Sequence, residues 1–190
     1  MTKVSRLWLI LVAHKGITLL ITANKGFRVT GIDSDHRAIE QAKFVKEHLY
    51  NDLDVHFEVS DAQKYVNKPS DLVICSGLLY HLTDILGACE AIYRNCVSGA
   101  VISSFVIEHE GKYVHVHDHE NVEARPFNGD YEFAFVPTTE VLVRCFKKVG
   151  FSRVYSFKST DILSDSELNG LSGIFPEIFR NSLCYLALIK

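Results

Sequence analysis

The chain has 190 residues, which suits one domain built around one hydrophobic core. Hydrophobic residues make up 47% of the chain and charged residues 23%, which excludes a fibrous or disordered class. The net charge of −3 and the scattered Lys and Arg residues do not indicate a nucleic-acid-binding surface. We therefore expect a single globular domain over residues 1–190.

The cysteines and the N-terminal segment bear on the compartment. The five cysteines have no CxxC spacing and lie among apolar residues, as expected for reduced core thiols in a cytoplasmic protein. The start is basic and then apolar, as in a signal peptide. However, His14-Lys15-Gly16 interrupts the apolar run, and neither half is long enough to span a bilayer. We expect a cytoplasmic protein without membrane association.

Hydrophobic periodicity predicts strands that alternate with helices along the whole chain. The predicted strands cover residues 6–13, 27–33, 54–61, 99–109, 152–159 and 184–190, with a further buried strand beginning at residue 71; the predicted helices cover residues 17–25, 35–51, 83–96 and 138–150. This order predicts an α/β fold with a Rossmann-like, mostly parallel open sheet and helices on both faces. The last two strands are expected to pair antiparallel at one edge.

Two segments do not fit this alternation. Residues 110–137 are polar, aromatic and irregular, and they are too numerous for a plain connection, so they predict a loop on the substrate side. Residues 160–183 are rich in loop-forming residues and join the last two strands.

A carboxylate ends the second predicted strand. The run from Gly26 to Asp33 is followed directly by a helix, so Asp33 lies at the strand tip. Nucleoside-binding α/β folds place an acid there to accept hydrogen bonds from the vicinal ribose hydroxyls. The alternative is an ordinary carboxylate that caps a helix or turn.

The order of motifs resembles that of class I S-adenosylmethionine-dependent methyltransferases over nearly the whole chain. In that family an acid after strand two holds the ribose, which matches Asp33, and an acid and a small residue after strand three reach the adenine, which match Asp61 and Ala62. The LYHL ending of residues 70–82 and the run 135–151 resemble the branch of tRNA wobble-uridine (carboxy)methyltransferases.

The resemblance implies S-adenosylmethionine as cofactor and methyl transfer to a small molecule or a tRNA. It implies that Ser76 contacts the cofactor and that Tyr80 and His81 are catalytic, His81 or a histidine of 115–119 taking a proton from the acceptor. The alternatives are a satisfied, half-buried histidine and a tyrosine that packs in the core. The oligomeric state is left open.

The first motif departs from the family pattern. A glycine-rich loop should follow strand one, and spacing back from the second strand aligns it with residues 10–16. There only Gly16 matches, while Ile10 replaces the acid and Val12 the first glycine. Side chains at Val12 and Ala13 are expected to crowd the cofactor. A catalytically silent binding or regulatory protein with the same fold is therefore an alternative.

Three histidines alternate along a later segment. If this segment is extended, His115, His117 and His119 lie on one face, and imidazoles can bind zinc, nickel or iron. Side chains on one face of a strand are about 6.5–7 Å apart, too far to share one ion without a bend. We expect a polar loop or hairpin without a metal ion, with a metal-binding protein as the alternative.

Overall fold

The computed structural model describes residues 7–12, 23–66, 69–107, 109–118, 133–158 and 183–190. Its strands are β1 (Leu7–Val12), β2 (Arg28–Asp33), β3 (Val55–Val59), β4 (Ser70–Ser76), β5 (Cys96–Phe105), β6 (Val114–Asp118), β7 (Phe133–Pro137), β8 (Arg153–Lys158) and β9 (Leu183–Ile189). Its helices of more than one turn are α1 (His36–Leu49), α2 (Ile85–Asn95) and α3 (Thr139–Val149), and a single 3₁₀ turn covers Leu79–His81.

Seven strands form one twisted sheet in the order β3-β2-β1-β4-β5-β9-β8. Strands β1 to β5 pair in parallel, whereas β9 runs antiparallel to both of its neighbours. The α/β prediction is therefore confirmed. The antiparallel strand lies one place inside the edge, and the edge strand β8 has the same direction as β1 to β5.

Helices cover both faces of the sheet. Val29 and Ile32 are both fully buried, and because they are three residues apart on one strand they point to opposite faces. Val29 packs in the cluster that contains Ile39 and Ala42 of α1, and Ile32 packs in the cluster that contains α2 and α3. Burying one such side chain stabilises the fold by about 1.5–3 kcal/mol.

Side-chain caps fix the ends of the helices. Asp35, Asp84 and Thr138 accept hydrogen bonds from the first-turn N–H groups of α1, α2 and α3, respectively. The helices predicted over 35–51, 83–96 and 138–150 are confirmed, each one or two residues shorter at its ends. Of the helix predicted over 17–25, only its end is described: Gly26 donates its N–H to Ala23 O at 2.8 Å.

The segment 110–137 differs from the predicted irregular loop. Its two ends form an antiparallel ribbon, β6 with β7, that is separate from the main sheet. The valines that alternate with histidines in 114–118 and the apolar run of aromatic and β-branched residues in 133–136 favour strands. Residues 119–132 lie outside the described part of the chain, as do residues 160–182. No helix in the described ranges is long and apolar enough to cross a membrane.

Two glycines with positive φ offer a matched test of backbone strain against crowding. Gly150 ends α3 at φ +119°, where a methyl group would lie 3.0 Å from the Tyr93 ring, whereas at Gly26 (φ +86°) a methyl group would meet nothing within 4 Å. We expect Gly26→Ala to lower the free energy of unfolding by about 1 kcal/mol and Gly150→Ala by about 2–3 kcal/mol. Urea denaturation of both variants checks this. Equal decreases in the free energy of unfolding would show that the Tyr93 ring moves aside without a cost in free energy.

Candidate functional site

The carboxyl ends of four parallel strands meet at one edge of the sheet. Val12, the last residue of β1, pairs with Ser76, the last residue of β4, and Ser76 pairs with Ser103 of β5. Asp33 is the last residue of β2, which flanks β1 on its other side. The order of strands reverses between β1 and β4, which is where open α/β sheets bind their ligands.

Asp33 is held firmly at this edge. Its side-chain Oδ1 accepts the backbone N–H of Asp35 at 2.9 Å, in the turn that leads into α1. Its main-chain oxygen accepts the N–H of Ser60 at 2.9 Å. The second bond extends the β2–β3 pairing beyond β3, so the chain that leaves β3 begins beside Asp33.

Asp61 and Ala62 follow directly in that chain. The Asp61 carboxylate accepts the Lys64 ammonium at 3.0 Å and the N–H of Gln63 at 2.9 Å. These bonds, that of Lys64 first, hold the pKa of Asp61 below its usual value, so the carboxylate is ionised at neutral pH. Ala62 is half-buried against the larger core cluster. The structure therefore brings the two acids predicted from sequence to neighbouring loops.

A buried amide anchors this loop to α2. Asn95 is 2% exposed, and its Nδ2 donates to the main-chain oxygens of Tyr65 and Ala91, both at 2.9 Å. The sequence analysis missed this residue. The only signal was one amide at the end of an otherwise apolar helix face.

Two exposed side chains reinforce the same attachment. Arg94 donates through Nη2 to Gln63 O at 3.3 Å, and Gln63 donates through Nε2 to Asp84 O at 2.9 Å. Asp84 caps the beginning of α2, while Arg94 lies in its last turn. The loop after β3 is thus bonded to both ends of α2.

Two hydroxyl groups face each other at the ends of β4 and β5. Ser76 and Ser103 share a hydrogen bond of 2.8 Å between their Oγ atoms. Gly77 then turns the chain with φ +69° and donates its N–H to Ser103 O at 2.9 Å. Ser76 was predicted, but Ser103 was not, because a serine inside an apolar strand gives no signal by itself.

Tyr80 and His81 lie in the turn after Gly77. The Tyr80 ring is 6% exposed and packs edge-on against Phe105, 5.0 Å between centroids, in a cluster with Ala134 and Val136 of the ribbon. Burial raises the pKa of the Tyr80 hydroxyl, which is therefore protonated at neutral pH. The His81 ring is half-buried, and its centroid lies 4.2 Å from the centroid of the Tyr80 ring. Their catalytic roles stay predictions.

The remaining predicted residues are placed only in part. Gly16 and His119 lie outside the described residues. His115 and His117 are on β6, so this part of the segment is extended, which was only a condition in the sequence analysis. Over the ranges that the structure describes, His, Cys, Asp and Glu side chains form no group of three or more that could hold a metal ion.

A family comparison decides the class of this fold. A family model described as a methyltransferase domain matches residues 12–135. The chain belongs to this methyltransferase domain family. The predicted methyltransferase is confirmed by this match, while the wobble-uridine branch is not. No curated protein is significantly similar to the chain in sequence.

Solved methyltransferases share the fold. A putative S-adenosylmethionine-dependent methyltransferase from Listeria monocytogenes is 17% identical with a TM-score of 0.71, covering 98% of this chain and 90% of its own. Phosphoethanolamine N-methyltransferase 2 from Haemonchus contortus is 18% identical with a TM-score of 0.71, covering 100% and 50%. Magnesium protoporphyrin IX methyltransferase from Synechocystis PCC 6803 is 13% identical with a TM-score of 0.68, covering 98% and 70%.

Asn95 allows a test of the buried anchor. In Asn95→Asp a carboxylate would face two carbonyl oxygens, so we expect the free energy of unfolding at pH 8 to fall by about 3 kcal/mol. Burial would raise the pKa of this carboxyl in the folded state, so the loss should shrink towards pH 5, where the group is protonated and can donate.

Urea denaturation at the two pH values provides the measurement. The exposed Asn51→Asp is the matched control and should change stability by no more than about 0.5 kcal/mol at either pH. A loss for Asn95→Asp that does not depend on pH would argue against a buried carboxylate facing carbonyl oxygens.

Proposed function

We propose that this chain transfers the methyl group of S-adenosylmethionine to a small-molecule acceptor. The observation that carries the proposal is that Asp33 and Asp61 lie on neighbouring loops at the carboxyl edge of the sheet. Ser60, which directly precedes Asp61, donates its N–H to the main-chain oxygen of Asp33. The methyltransferase domain family supports the reaction class.

The two acids suit the nucleoside end of the cofactor. An ionised carboxylate at a strand tip accepts hydrogen bonds from both ribose hydroxyls, which is the role proposed for Asp33. Asp61 and Ala62 would hold the adenine, Asp61 through a carboxylate whose pKa is already lowered. Ser76 would contact the cofactor from the end of β4. Gly16 is proposed for the methionine end by resemblance alone.

S-adenosylmethionine supplies a methyl group activated by a sulfonium, so the protein has mainly to position the acceptor and exclude water. The turn Leu79–His81 would line the acceptor side, held in place by the packing of Tyr80 against Phe105 and the ribbon. His81 would take the proton from an oxygen or nitrogen acceptor. Because the Tyr80 hydroxyl is buried, its proposed contribution is to fix the turn.

A small molecule fits the chain better than RNA as acceptor. The net charge is −3, and an RNA acceptor requires cationic surface to neutralise phosphates. The Haemonchus neighbour was crystallised with phosphomonomethylethanolamine, a small amine. The LYHL motif of residues 79–82 supports the alternative of a tRNA uridine, for which a partner protein would supply the basic surface.

A catalytically silent binding protein is the second candidate. It is favoured by Val12, which ends β1 beside Ser76 at the position of the family's first glycine. The two candidates differ in turnover: only the enzyme converts S-adenosylmethionine when a set of small amines, phenols, acids and tRNA is offered, whereas a loop crowded by Val12 excludes the ligand or holds it without turnover.

The central claim is tested by exchanging single carboxylates. Asp33→Asn should weaken S-adenosylhomocysteine binding at least about tenfold, because one charged acceptor for the ribose hydroxyls is lost. Asp35→Asn makes the same change in charge two residues away and keeps an N-cap, so it should leave affinity within about twofold. Titration calorimetry measures the affinities of both variants. Equal affinity for Asp33→Asn and the parent chain would contradict the proposal that Asp33 binds the ribose.

The proton acceptor is tested separately. His81→Gln should lower kcat by about 10²–10⁴-fold, the usual contribution of general base catalysis, while S-adenosylhomocysteine affinity stays the same. Tyr80→Phe keeps the buried ring and should change kcat far less. Steady-state kinetics with the acceptor found above gives both values. An unchanged kcat in His81→Gln would assign His81 to packing.

A further inference from the structure

Helix α2 runs directly into strand β5. Cys96, the residue that follows the helix, is already extended at φ −114° and ψ 149°. Helices α1 and α3 end differently, because Tyr50 and Gly150 donate their N–H groups back to carbonyl groups of the last turn. The last carbonyl groups of a helix need donors from elsewhere when the chain straightens at once. At α2 side chains supply these donors.

Lys190, which follows β9, is one of these donors. Its Nζ donates to the main-chain oxygens of Tyr93 and Cys96, both at 2.9 Å. The ammonium also lies 4.1 Å from the centroid of the Tyr93 ring, which adds a cation–π contact. A cation is favoured at the carboxyl end of a helix, because the carbonyl groups give that end a partial negative charge. Lys190 is thus a side-chain cap of α2.

The main chain holds Lys190 in this position. Its own N–H donates to the main-chain oxygen of Ser98 at 3.0 Å. One residue earlier, the oxygen of Ile189 accepts both the N–H of Ser152 at 2.9 Å and its Oγ at 3.0 Å. The backbone next to the ammonium is therefore fixed by the sheet, so that little main-chain freedom is lost when Lys190 caps the helix.

The cap encloses the two residues that hold the loop after β3. Arg94 and Asn95 lie between the two carbonyl groups to which Lys190 donates. Arg94 donates to Gln63 O at 3.3 Å, and Asn95 donates to Tyr65 O at 2.9 Å. Fraying of this helix end would move both donors away from the loop. The cap at the end of α2 therefore also fixes the loop.

We propose that Lys190 is a positioning residue for the nucleoside end of S-adenosylmethionine. This inference rests on the proposed function, in which Asp61 and Ala62 of the same loop hold the adenine. The loop is one tight turn, since Tyr65 donates its N–H to Asp61 O at 2.9 Å. Lys190 keeps the end of α2 intact, the end of α2 holds this turn, and the turn presents Asp61 to the ligand.

Calorimetry with S-adenosylhomocysteine tests the effect on binding. Lys190→Met keeps an apolar stem against Tyr93 but removes the ammonium, so affinity should fall at least about fivefold, within the usual range of effects of one site on another. Lys190→Arg keeps a cation that can donate to two carbonyl groups and stack on the ring, so it should restore affinity to within about twofold. Lys148→Met removes an exposed ammonium from the last turn of α3 and should also stay within about twofold of the parent chain.

Steady-state kinetics distinguishes positioning from a loss of folded protein. In Lys190→Met the KM for S-adenosylmethionine should rise while kcat stays close to that of the parent chain, because the reacting groups are unchanged. A chain that is only less folded would lose kcat and keep its KM. Equal affinity in Lys190→Met and the parent chain, or affinity in Lys190→Arg as weak as in Lys190→Met, would overturn the proposal.

Amide hydrogen exchange without ligand keeps this test separate from the proposed function. The N–H groups of Lys64 and Tyr65, both bonded to Asp61 O, should exchange several-fold faster in Lys190→Met than in the parent chain. The N–H of Ile39 in α1 is the internal reference and should exchange at the same rate in both. Failure of the parent chain to bind S-adenosylhomocysteine would contradict the proposed function, whereas loop amides that exchange at the parent rate would contradict the role of Lys190.

Discussion

Parallel pairing of β1 with both β2 and β4 is the constraint on which the site depends. It places the ends of three strands side by side, so that Asp33 and Ser76 flank the end of β1. Parallel strands need crossovers, and these put α1 and α2 on opposite faces of the sheet. Every residue proposed to touch the cofactor ends or follows one of these strands or β3.

The loop after β3 illustrates how local polar contacts refine this framework. Sheet pairing brings the loop to Asp33, but hydrogen bonds from Asn95 and Arg94 fix its path across α2. The buried bonds of Asn95 contribute most, because an unsatisfied main-chain oxygen in the core is costly. The ion pair of Lys64 with Asp61 is largely exposed and contributes little to stability.

The sequence was sufficient for the elements of the main sheet and its helices and for the positions of the two carboxylates, since the local pattern of residues determines each of them. Alternation and helical spacing predicted the α/β order, and Asp33 and Asp61 were visible because each follows a strand directly. Ser103 and Asn95 were not predictable, because their partners are 27 and 30 residues away in sequence and only tertiary packing brings them together. The ribbon was missed because its two short strands flank the polar residues 119–132, so that the whole of 110–137 resembled an irregular loop.

The attachment of the loop after β3 to α2 also has a thermodynamic consequence. Linkage is reciprocal: if an intact α2 is needed to hold Asp61 in place, then a ligand bound at Asp61 must stabilise α2 by the same free energy. The end of α2 at Asn95 would then respond to a ligand that it does not touch. Opening of that helix end would weaken the binding of such a ligand, and one coupling constant describes both effects.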